Sequence, residues 1–276
     1  MTAYKRIDEY GHMGGVVEYR TILCSEVDGV RTIRLNRPER RNAMTVEMQE
    51  ELIAAFDAAA AAPSCRVVVL AAVGGAFCAG LDLGHLEDKG TVDTEEHRVD
   101  AGRLARLFRT LHELPKPTIA AVNGAAVAGG VGLATLCDFT LAVQGAKFGY
   151  TEVKIGFVPA LVSVYLVLQV GEKRARELLL MGRLFSAEEA YRVGLVTEVV
   201  EADSLMPRAQ EIAGKLVANS PEAMAATKRL LVAQNRAWLD TAIEEALEAN
   251  ARARETNDFR VGVAAFLAKK TPVWGK

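Results

Sequence analysis

The sequence predicts a mixed α/β fold followed by a helical C-terminal region. Short apolar runs end in glycine-containing turns and lead into helical stretches, which is the rhythm of βα units. The runs are rich in β-branched residues, as expected for strands that are buried on both faces. From Gly171 onward, apolar residues are spaced three and four apart, as on the faces of helices.

The first predicted elements are a two-stranded ribbon and a helix. Residues 16–35 alternate in a strand-like way and are broken at Asp28-Gly29, a dipeptide that favours a hairpin turn. Apolar residues spaced by three and four then predict a helix from Met44 to Phe56, with Thr45 as its candidate N-terminal cap.

Three buried strands and a further helix are predicted next. The strands are residues 66–73, 118–122 and 139–143. The second leads through Asn123-Gly124 into a buried helix from Ala126 to Leu136. Residues 84–100 are polar and charged, which predicts a solvated or mobile loop.

Composition indicates one large folded unit with an appendage. Half of the 276 residues are hydrophobic and a quarter are charged, so the chain can bury a sizeable core. We divide it into an N-terminal extension (1–15), an α/β core (16–200) and a C-terminal helical region (201–276). No internal repeat or low-complexity linker separates them.

The charge balance gives no general reason to bind nucleic acids or anionic membranes. The chain has 33 basic and 35 acidic residues, for a net charge of -2. No apolar stretch approaches the roughly 18 residues of a membrane span, and the N-terminal segment lacks the hydrophobic core of a signal peptide. We therefore expect a cytoplasmic protein that binds neither nucleic acid nor membranes.

The cysteines and histidines do not suggest a metal site. Neither CxxC or CxxH spacing nor an HExxH pattern occurs, so a structural zinc, a disulfide framework and metal catalysis lack support. The cysteines are expected to be buried free thiols. These residues are Cys24, Cys65, Cys78, Cys137, His12, His85, His97 and His112.

Two glycine-rich turns follow predicted strands, at residues 74–82 and 123–132. In α/β folds ligands gather at strand ends, and the first N–H groups of a helix are ready donors. Neither turn reads GxxxxGK[ST] or a GxGxxG with an acidic ribose-binding residue, so phosphate-loop and dinucleotide sites are weakly supported. Two neighbouring turns can present two convergent donors, although glycines also serve tight packing alone.

Four motifs occur in order along the chain. They are Asn36-Arg37-Pro38 with residues 42–44, residues 77–83, residues 116–124 with Ala128-Gly129-Gly130, and residues 148–152 with residues 156–159. Together they resemble the motifs of the crotonase (enoyl-CoA hydratase/isomerase) superfamily. The resemblance covers residues 16–276 and is greatest to methylglutaconyl-CoA hydratase-like members.

The resemblance implies a spiral of ββα units, an acyl-CoA-binding groove, and homotrimers or homohexamers in which the C-terminal helices pack on neighbours. It also implies that the backbone N–H groups of Leu81 and Gly129 form an oxyanion hole for the thioester oxygen. Such donors stabilise the charge that develops there, and removing one typically costs about 3 kcal/mol.

Glu152 is the catalytic carboxylate that the resemblance implies. Hydratases of the superfamily usually have two glutamates. The position of the first is held here by Gly132, and the methylglutaconyl-CoA hydratase-like members also lack that glutamate. A carboxyl group in an apolar pocket has a raised pKa and can both accept and donate a proton near neutrality. A substrate that bears its own carboxylate would also suit the loss of the first glutamate.

Three activities remain open. Glu152 can add water to an α,β-unsaturated acyl-CoA, which is the hypothesis we favour, or move a proton between C2 and C4 as an isomerase. A non-catalytic acyl-CoA-binding protein is the alternative of another class. Hydrolase, dehalogenase or ring-cleaving chemistry would need another participant, for which Asp138, His85 and Glu87 are candidates. No cofactor is expected beyond the CoA thioester itself.

The resemblance assigns further residues to the binding of substrate and CoA. Among them are two basic residues and one aromatic residue that would contact the CoA nucleotide. Glu39 stands where a lysine is more usual, which changes the phosphate contacts. The assigned residues are Arg40, Ala43, Ala79, Asp82, Gly132, Tyr150, Phe266 and Lys269.

Overall fold

The computed structural model describes residues 19–83 and 94–275, with side chains from residue 96 onward in the second range. The described chain begins with a β-hairpin. Strand β1 (Ile22–Val27) pairs antiparallel with β2 (Val30–Leu35). Asp28 and Gly29 link them with φ values of 50° and 78°, as a two-residue hairpin turn requires. The turn is as predicted, whereas the predicted extension 1–15 lies outside the described residues.

Six strands form the larger sheet, in the order β1-β2-β3-β5-β7-β10. Strands β3 (Val67–Ala72), β5 (Thr118–Val122) and β7 (Phe139–Val143) run parallel and are almost wholly buried. Burial on both faces explains why each reads as a continuous apolar run. The short strand β10 (Glu198–Val200) pairs parallel to β7 at one edge.

Four short strands form a second sheet, in the order β4-β6-β8-β9. They are β4 (Ala76–Cys78), β6 (Ala125–Val127), β8 (Lys147–Gly149) and β9 (Phe185–Ser186). Three successive passes of the chain, β3-β4, β5-β6 and β7-β8, therefore leave a strand in each sheet before a helix returns the chain. This is the expected spiral of ββα units, and β6 replaces the first turn of the helix predicted from Ala126.

Helices cover both sheets and form most of the C-terminal third. The described helices are α1 (Val46–Ala61), α2 (Thr94–His112), α3 (Gly129–Thr135), α4 (Ala160–Met181), α5 (Ala187–Arg192), α6 (Leu205–Val217), α7 (Pro221–Glu255) and α8 (Asn257–Leu267).

Two helices bear directly on the sequence predictions. Thr45 caps α1, its hydroxyl accepting a hydrogen bond of 3.2 Å from the N–H of Met48. The loop predicted at residues 84–100 is wrong from Thr94 onward, because α2 begins there and its apolar face is buried against the core. Residues 84–93 lie outside the described residues.

The C-terminal helices are tied to the core by a polar contact. Lys228 of α7 donates hydrogen bonds to the Asp138 carboxylate (2.6 Å) and to the carbonyl of Lys116 (3.0 Å). The main hydrophobic core continues from the sheets into α6 and α7, and Phe157, Phe259 and Val263 form a smaller separate cluster. Among the described helices, none is long and apolar enough to cross a membrane.

Candidate active site

The two glycine-rich turns lie side by side. Strand β4 pairs parallel with β6, and both continue into the turns that carry Gly80 and Gly129. A Cβ built on Gly80 would lie 3.0 Å from the Cβ of Ala128 and 3.7 Å from the backbone nitrogen of Gly129. The parallel pairing thus brings together two segments that are almost fifty positions apart in the sequence.

The N–H of Leu81 is directed by a bridge to Met44. The N–H of Met44 donates to the carbonyl of Gly80 (2.7 Å), and the N–H of Asp82 donates to the carbonyl of Met44 (3.0 Å). In a parallel ladder, Gly80 and Asp82 use their backbone groups to bond Met44. The N–H of Leu81, which lies between them, therefore points to the opposite side of the strand. Leu81 itself lines a cavity, and its N–H points away from Met44.

The N–H of Gly129 begins helix α3, where N–H groups have no partner within the helix. The preceding residue, Ala128, has φ 52° and ψ −127°, a conformation that a residue with a Cβ rarely adopts. Its N–H donates to the carbonyl of Gly149 in β8 (2.8 Å). The second sheet therefore holds Ala128 in a strained conformation that orients the next peptide group. An alanine among small residues gives no sequence signal of this role.

The turn before α1 braces the segment that carries Leu81. Asn42 is fully buried, and its amide donates to the carbonyls of Val73 (3.0 Å) and Ala76 (2.9 Å). Arg37 forms an ion pair with Asp82 (3.1 Å) and donates to the carbonyl of Ala43. The structure thus places Asp82 and Ala43, both assigned to substrate by resemblance, in contacts that hold the turn; neither lines the cavity.

Glu152 follows β8 in a 3-10 turn and lines the same cavity as Leu81 and Gly129. It is 8% exposed, and its Oε2 has no hydrogen-bond partner within the described residues. Burial raises the pKa of the Glu152 carboxyl from 4.5 to about 7, opposed by its own backbone N–H. At neutral pH this group is available in both protonation states.

The cavity has a volume of about 250 Å³ and mainly apolar walls. Within the described part of the chain, Glu152 and Arg41 are its ionisable residues. Ala79 and Phe266, both assigned to substrate, also line it. The other walls are Leu83, Leu104, Val127, Ala128, Thr151, Ile155, Phe157, Val158, Pro159, Ala160, Leu161, Val162 and Asn250.

The structure places Arg41 at the cavity and Arg40 outside it. Arg40 ends a 3-10 turn that begins at Pro38, whereas Arg41 has left-handed backbone angles (φ 51°, ψ 36°) that reverse the chain. Sequence alone did not distinguish the two arginines. Lys269, beyond the end of α8, does not line the cavity either.

Gly132 and Tyr150 lie behind the cavity wall. A Cβ on Gly132 would be 2.6 Å from Cζ of Phe108 and 3.2 Å from Cγ1 of Val162. Tyr150 is 1% exposed, is hydrogen-bonded to the side chain of Thr135, and has a pKa raised by burial. The space beside Gly132 is therefore filled by hydrocarbon.

The other candidate participants are elsewhere. The Asp138 carboxylate accepts hydrogen bonds from the backbone N–H (2.8 Å) and hydroxyl (3.0 Å) of Thr118, besides the bond from Lys228. These contacts hold the core to α7, outside the cavity. His85 and Glu87 lie outside the described residues.

A family model described as enoyl-CoA hydratase/isomerase matches residues 25–276. The chain belongs to the enoyl-CoA hydratase/isomerase family. This confirms the resemblance to the crotonase superfamily, whereas the methylglutaconyl-CoA hydratase-like subtype stays a prediction.

Several relatives of this enoyl-CoA hydratase/isomerase family member match over almost their whole length. A Thermus thermophilus protein, named provisionally as an enoyl-CoA hydratase, is 46% identical over 243 residues, which are 88% of this chain and 96% of that protein. The 1,2-epoxyphenylacetyl-CoA isomerase of Escherichia coli is 34% identical, covering 91% of this chain and 97% of that enzyme.

Solved structures of the family share the fold. An enoyl-CoA hydratase/isomerase from Xanthobacter autotrophicus has a TM-score of 0.84 at 34% identity, covering 91% of this chain and 97% of that chain. Hydratase and isomerase names thus both occur among relatives with the same architecture. The choice between these reactions depends on the groups inside the cavity.

Sequence reasoning missed the wall that α2 and α7 contribute. Leu104 and Asn250 line the cavity from these two helices, far from the glycine turns in sequence. A signal was present, since Ile243, Leu247, Asn250 and Arg254 are spaced four, three and four apart along one helix face. The two polar residues on that stripe marked it as more than core packing.

Proposed function

We propose that the protein is an enoyl-CoA hydratase that adds water reversibly to an α,β-unsaturated acyl-CoA. The observation that carries the proposal is that the Glu152 carboxyl faces the same cavity as Leu81 and Gly129, the two backbone donors. Acid-base chemistry next to a thioester carbonyl needs this combination.

In this proposal the thioester oxygen lies between the N–H groups of Leu81 and Gly129. When water adds to C3, the electron pair of the double bond moves toward the carbonyl and charge accumulates on that oxygen. Preorganised donors stabilise this charge more than the ground-state carbonyl. The strained Ala128 and the bridge to Met44 keep both donors in place before substrate arrives.

Glu152 carries the proton. Its carboxylate accepts a proton from water while the oxygen bonds to C3, and the resulting carboxylic acid then protonates C2 on the same face. The carboxylate is regenerated, so atoms and charge balance without a second acid. A pKa of about 7 suits both halves of this cycle.

The CoA moiety would lie toward the exposed rim of the cavity. There Arg41 is the cation available to the phosphates, and the ring of Phe266, 54% exposed, is available to the adenine. Lys269 would contribute from the residues after α8. The same proposal includes no further cofactor, a homotrimeric or homohexameric assembly, and a methylglutaconyl-CoA-like ester as the substrate that the resemblance implies.

Isomerisation of a 3-enoyl-CoA is the second candidate, and Phe108 is the observation that favours it. A water held beside Glu152 needs two to four polar partners, whereas the space next to Gly132 is filled by Phe108 and Val162. Moving one proton from C2 to C4 requires only Glu152 and the oxyanion hole.

The test is turnover of crotonyl-CoA, 3-methylglutaconyl-CoA and a 3-enoyl-CoA by the wild type and by Glu152→Gln. Products are separated chromatographically after reaction in deuterated water. Hydration that falls by about 100-fold or more in the variant supports the hydratase. Double-bond migration without water addition would establish the isomerase instead.

A matched control is Glu172→Gln, which changes an exposed carboxylate of α4 whose ion pair among the described residues is with Arg176. Its rates should equal those of the wild type. Tight binding of CoA esters with no turnover of any substrate would contradict both enzymatic candidates and leave the non-catalytic acyl-CoA-binding protein.

A further inference from the structure

One polar side chain of the cavity wall comes from the C-terminal helices. Asn250 of α7 lines the same cavity as Glu152. It is 4% exposed, and its Oδ1 has no hydrogen-bond partner among the described residues. Buried side-chain amides normally have partners, because a polar atom left unpaired in the interior lowers stability. The amide of Asn250 therefore marks a place where a bound molecule completes the hydrogen bonding.

The cavity contains two buried oxygen atoms of the same hydrogen-bonding kind. Among the described lining residues, Oε2 of Glu152 and Oδ1 of Asn250 are the buried side-chain oxygens without a partner. A carboxylate oxygen and an amide oxygen both accept hydrogen bonds, so a molecule that satisfies both must supply two donors. A water molecule has two O–H groups, and water is also the second substrate of the proposed reaction.

Helix α7 runs antiparallel to α2. Asp100 in the first half of α2 pairs with Arg254 (3.6 Å), and Arg109 near the end of α2 pairs with Asp240 (2.7 Å). Asn250 lies one turn before Arg254 on α7. In an antiparallel pair it therefore faces α2 about one turn after Asp100.

This register brings Asn250 to the part of α2 that closes position 132. Leu104 is one turn after residue 100 and lines the cavity together with Asn250. Phe108 follows one turn later, and a Cβ on Gly132 would lie 2.6 Å from its Cζ. Along α2, the level of Asn250 is thus about one turn from the ring that fills the space beside Gly132. A polar group enters the cavity close to the position that lacks a glutamate.

A second series of contacts leads from Asn250 to Glu152. The N–H of Phe157 donates to the carbonyl of Glu152 (3.0 Å), and Phe157 is itself a cavity wall. The guanidinium of Arg254 lies over the ring of Phe157, with Cζ 5.9 Å from the ring centre. These contacts link the turn that carries Glu152 to the part of α7 that carries Asn250.

We propose that Asn250 is a catalytic residue whose amide oxygen holds the attacking water together with Glu152. The inference rests on the proposed hydration and adds the second partner of its water. One O–H of the water donates to the Glu152 carboxylate, which takes that proton as the oxygen bonds to C3. The other O–H donates to Oδ1 of Asn250 and keeps its proton, because an amide oxygen is a very weak base. It becomes the C3 hydroxyl of the product, while the proton on Glu152 moves to C2.

The first experiment compares the wild type with Asn250→Leu, using the better substrate of crotonyl-CoA and 3-methylglutaconyl-CoA. Leucine has nearly the shape of asparagine and no acceptor, so kcat for hydration should fall by about 10- to 100-fold while KM stays within about threefold. Asn235→Leu is the matched control, because Asn235 is an exposed residue of the same helix and its variant should match the wild type. An unchanged kcat in Asn250→Leu would overturn the inference.

Stability distinguishes catalysis from a structural role. Because Oδ1 of Asn250 is unpaired in the described structure, leucine there should leave the urea midpoint unchanged or raise it. A lowered midpoint together with equal losses of kcat and of CoA-ester affinity would make Asn250 a structural residue and contradict the inference. If Asn250→Leu does not fold, Asn250→Ala tests the same loss of the acceptor.

Binding without turnover separates this inference from the proposed function. In Glu152→Gln, calorimetry compares butyryl-CoA with both enantiomers of 3-hydroxybutyryl-CoA. One hydroxy ester should bind about tenfold more tightly than butyryl-CoA, and adding Asn250→Leu should abolish the difference. If the wild type hydrates no ester but the difference is present, the proposed reaction is rejected and Asn250 still holds a C3 hydroxyl. Hydration by the wild type with no such difference, and with kcat unaffected by Asn250→Leu, rejects the inference and leaves the proposed reaction.

Discussion

The ring of Phe108 occupies the space that a side chain at position 132 would enter. A Cβ on Gly132 would lie only 2.6 Å from Cζ of Phe108. The position that the resemblance assigns to a first glutamate is therefore closed by packing. The proposed mechanism uses one carboxylate, and a second at position 132 would require the core around Phe108 to change.

The first prediction concerns this contact. Gly132→Ala should destabilise the protein by about 1–3 kcal/mol, because the added methyl group overpacks a filled region. Combining it with Phe108→Leu should recover part of the loss, and urea unfolding of the single and double variants measures the coupling. Gly102→Ala in α2 is the control, since a Cβ there meets no atom within 4 Å. Additive effects of the two substitutions would contradict the contact.

The pH dependence of turnover should follow one group. The proposed cycle starts from the Glu152 carboxylate. Burial raises the pKa of this group to about 7. We therefore expect kcat/KM to rise with pH through about 7 and then level off, without a falling limb from a second catalytic acid. The pH–rate profile for crotonyl-CoA between about pH 5 and 9 measures this. A bell-shaped profile would indicate a second titrating participant.

Folding stability should fall with pH through the same range. Burial raises the pKa of the Glu152 carboxyl in the folded protein. Below about pH 4.5 this carboxyl is protonated in the folded and the unfolded chain alike, and the free energy of unfolding has its full value. Part of this free energy is lost as pH rises toward 7, because the unfolded chain ionises first. Relative to Glu152→Gln, the wild type should lose about 2–3 kcal/mol of unfolding free energy between about pH 5 and 8. A pH-independent difference between the two proteins would show that Glu152 is not buried as an acid.

Catalytic activity should be sensitive to a side chain at position 80, next to the proposed oxyanion hole. This residue has φ +90°, and a Cβ on it would lie 3.0 Å from the Cβ of Ala128 and 3.1 Å from the carbonyl of Val127. Gly80→Ala should displace the Leu81 donor and lower kcat by about 100-fold or more. Gly75→Ala in the same turn is the control, because a Cβ there meets nothing within 4 Å. Steady-state kinetics of both variants would refute the assignment if they were equally active.

The polar contact between core and α7 should affect stability and leave catalysis unchanged. Lys228→Met removes the donor to Asp138 and to the carbonyl of Lys116, and leaves a partly buried carboxylate without its cation. A loss of about 2 kcal/mol is expected in urea unfolding. Lys215→Met, which removes an exposed cation paired with Glu211, should change stability by less than about 0.5 kcal/mol. A large fall in kcat for the Lys228 variant would contradict the prediction that this contact does not take part in catalysis.

Much of the fold could be predicted because its local signals agree with its tertiary structure. The Asp28-Gly29 hairpin requires positive φ angles that these residues tolerate, and strands buried on both faces are apolar throughout. The strands of the second sheet were missed, since three residues are too few to establish an alternation. Helix α2 was not predicted, and the predicted loop included its first residues, because the charged residues of its exposed side hide its period.

The site was predictable where a glycine or a motif marks it. The turns around Gly80 and Gly129 were found because close approach of two backbones there leaves little room for side chains. Ala128, Asn250 and the choice of Arg41 over Arg40 were not, because they depend on backbone angles and on the packing of α7 against α2. Such relationships arise between segments that are distant in sequence, and residue identity alone does not encode them.

The last described helix supports the turn that carries Glu152 from a distant part of the sequence. A Cβ on Gly262 of α8 would lie 2.2 Å from the carbonyl of Ile155, so α8 touches the backbone of that turn. A larger side chain at position 262 would therefore displace the candidate acid, although Gly262 itself does not line the cavity.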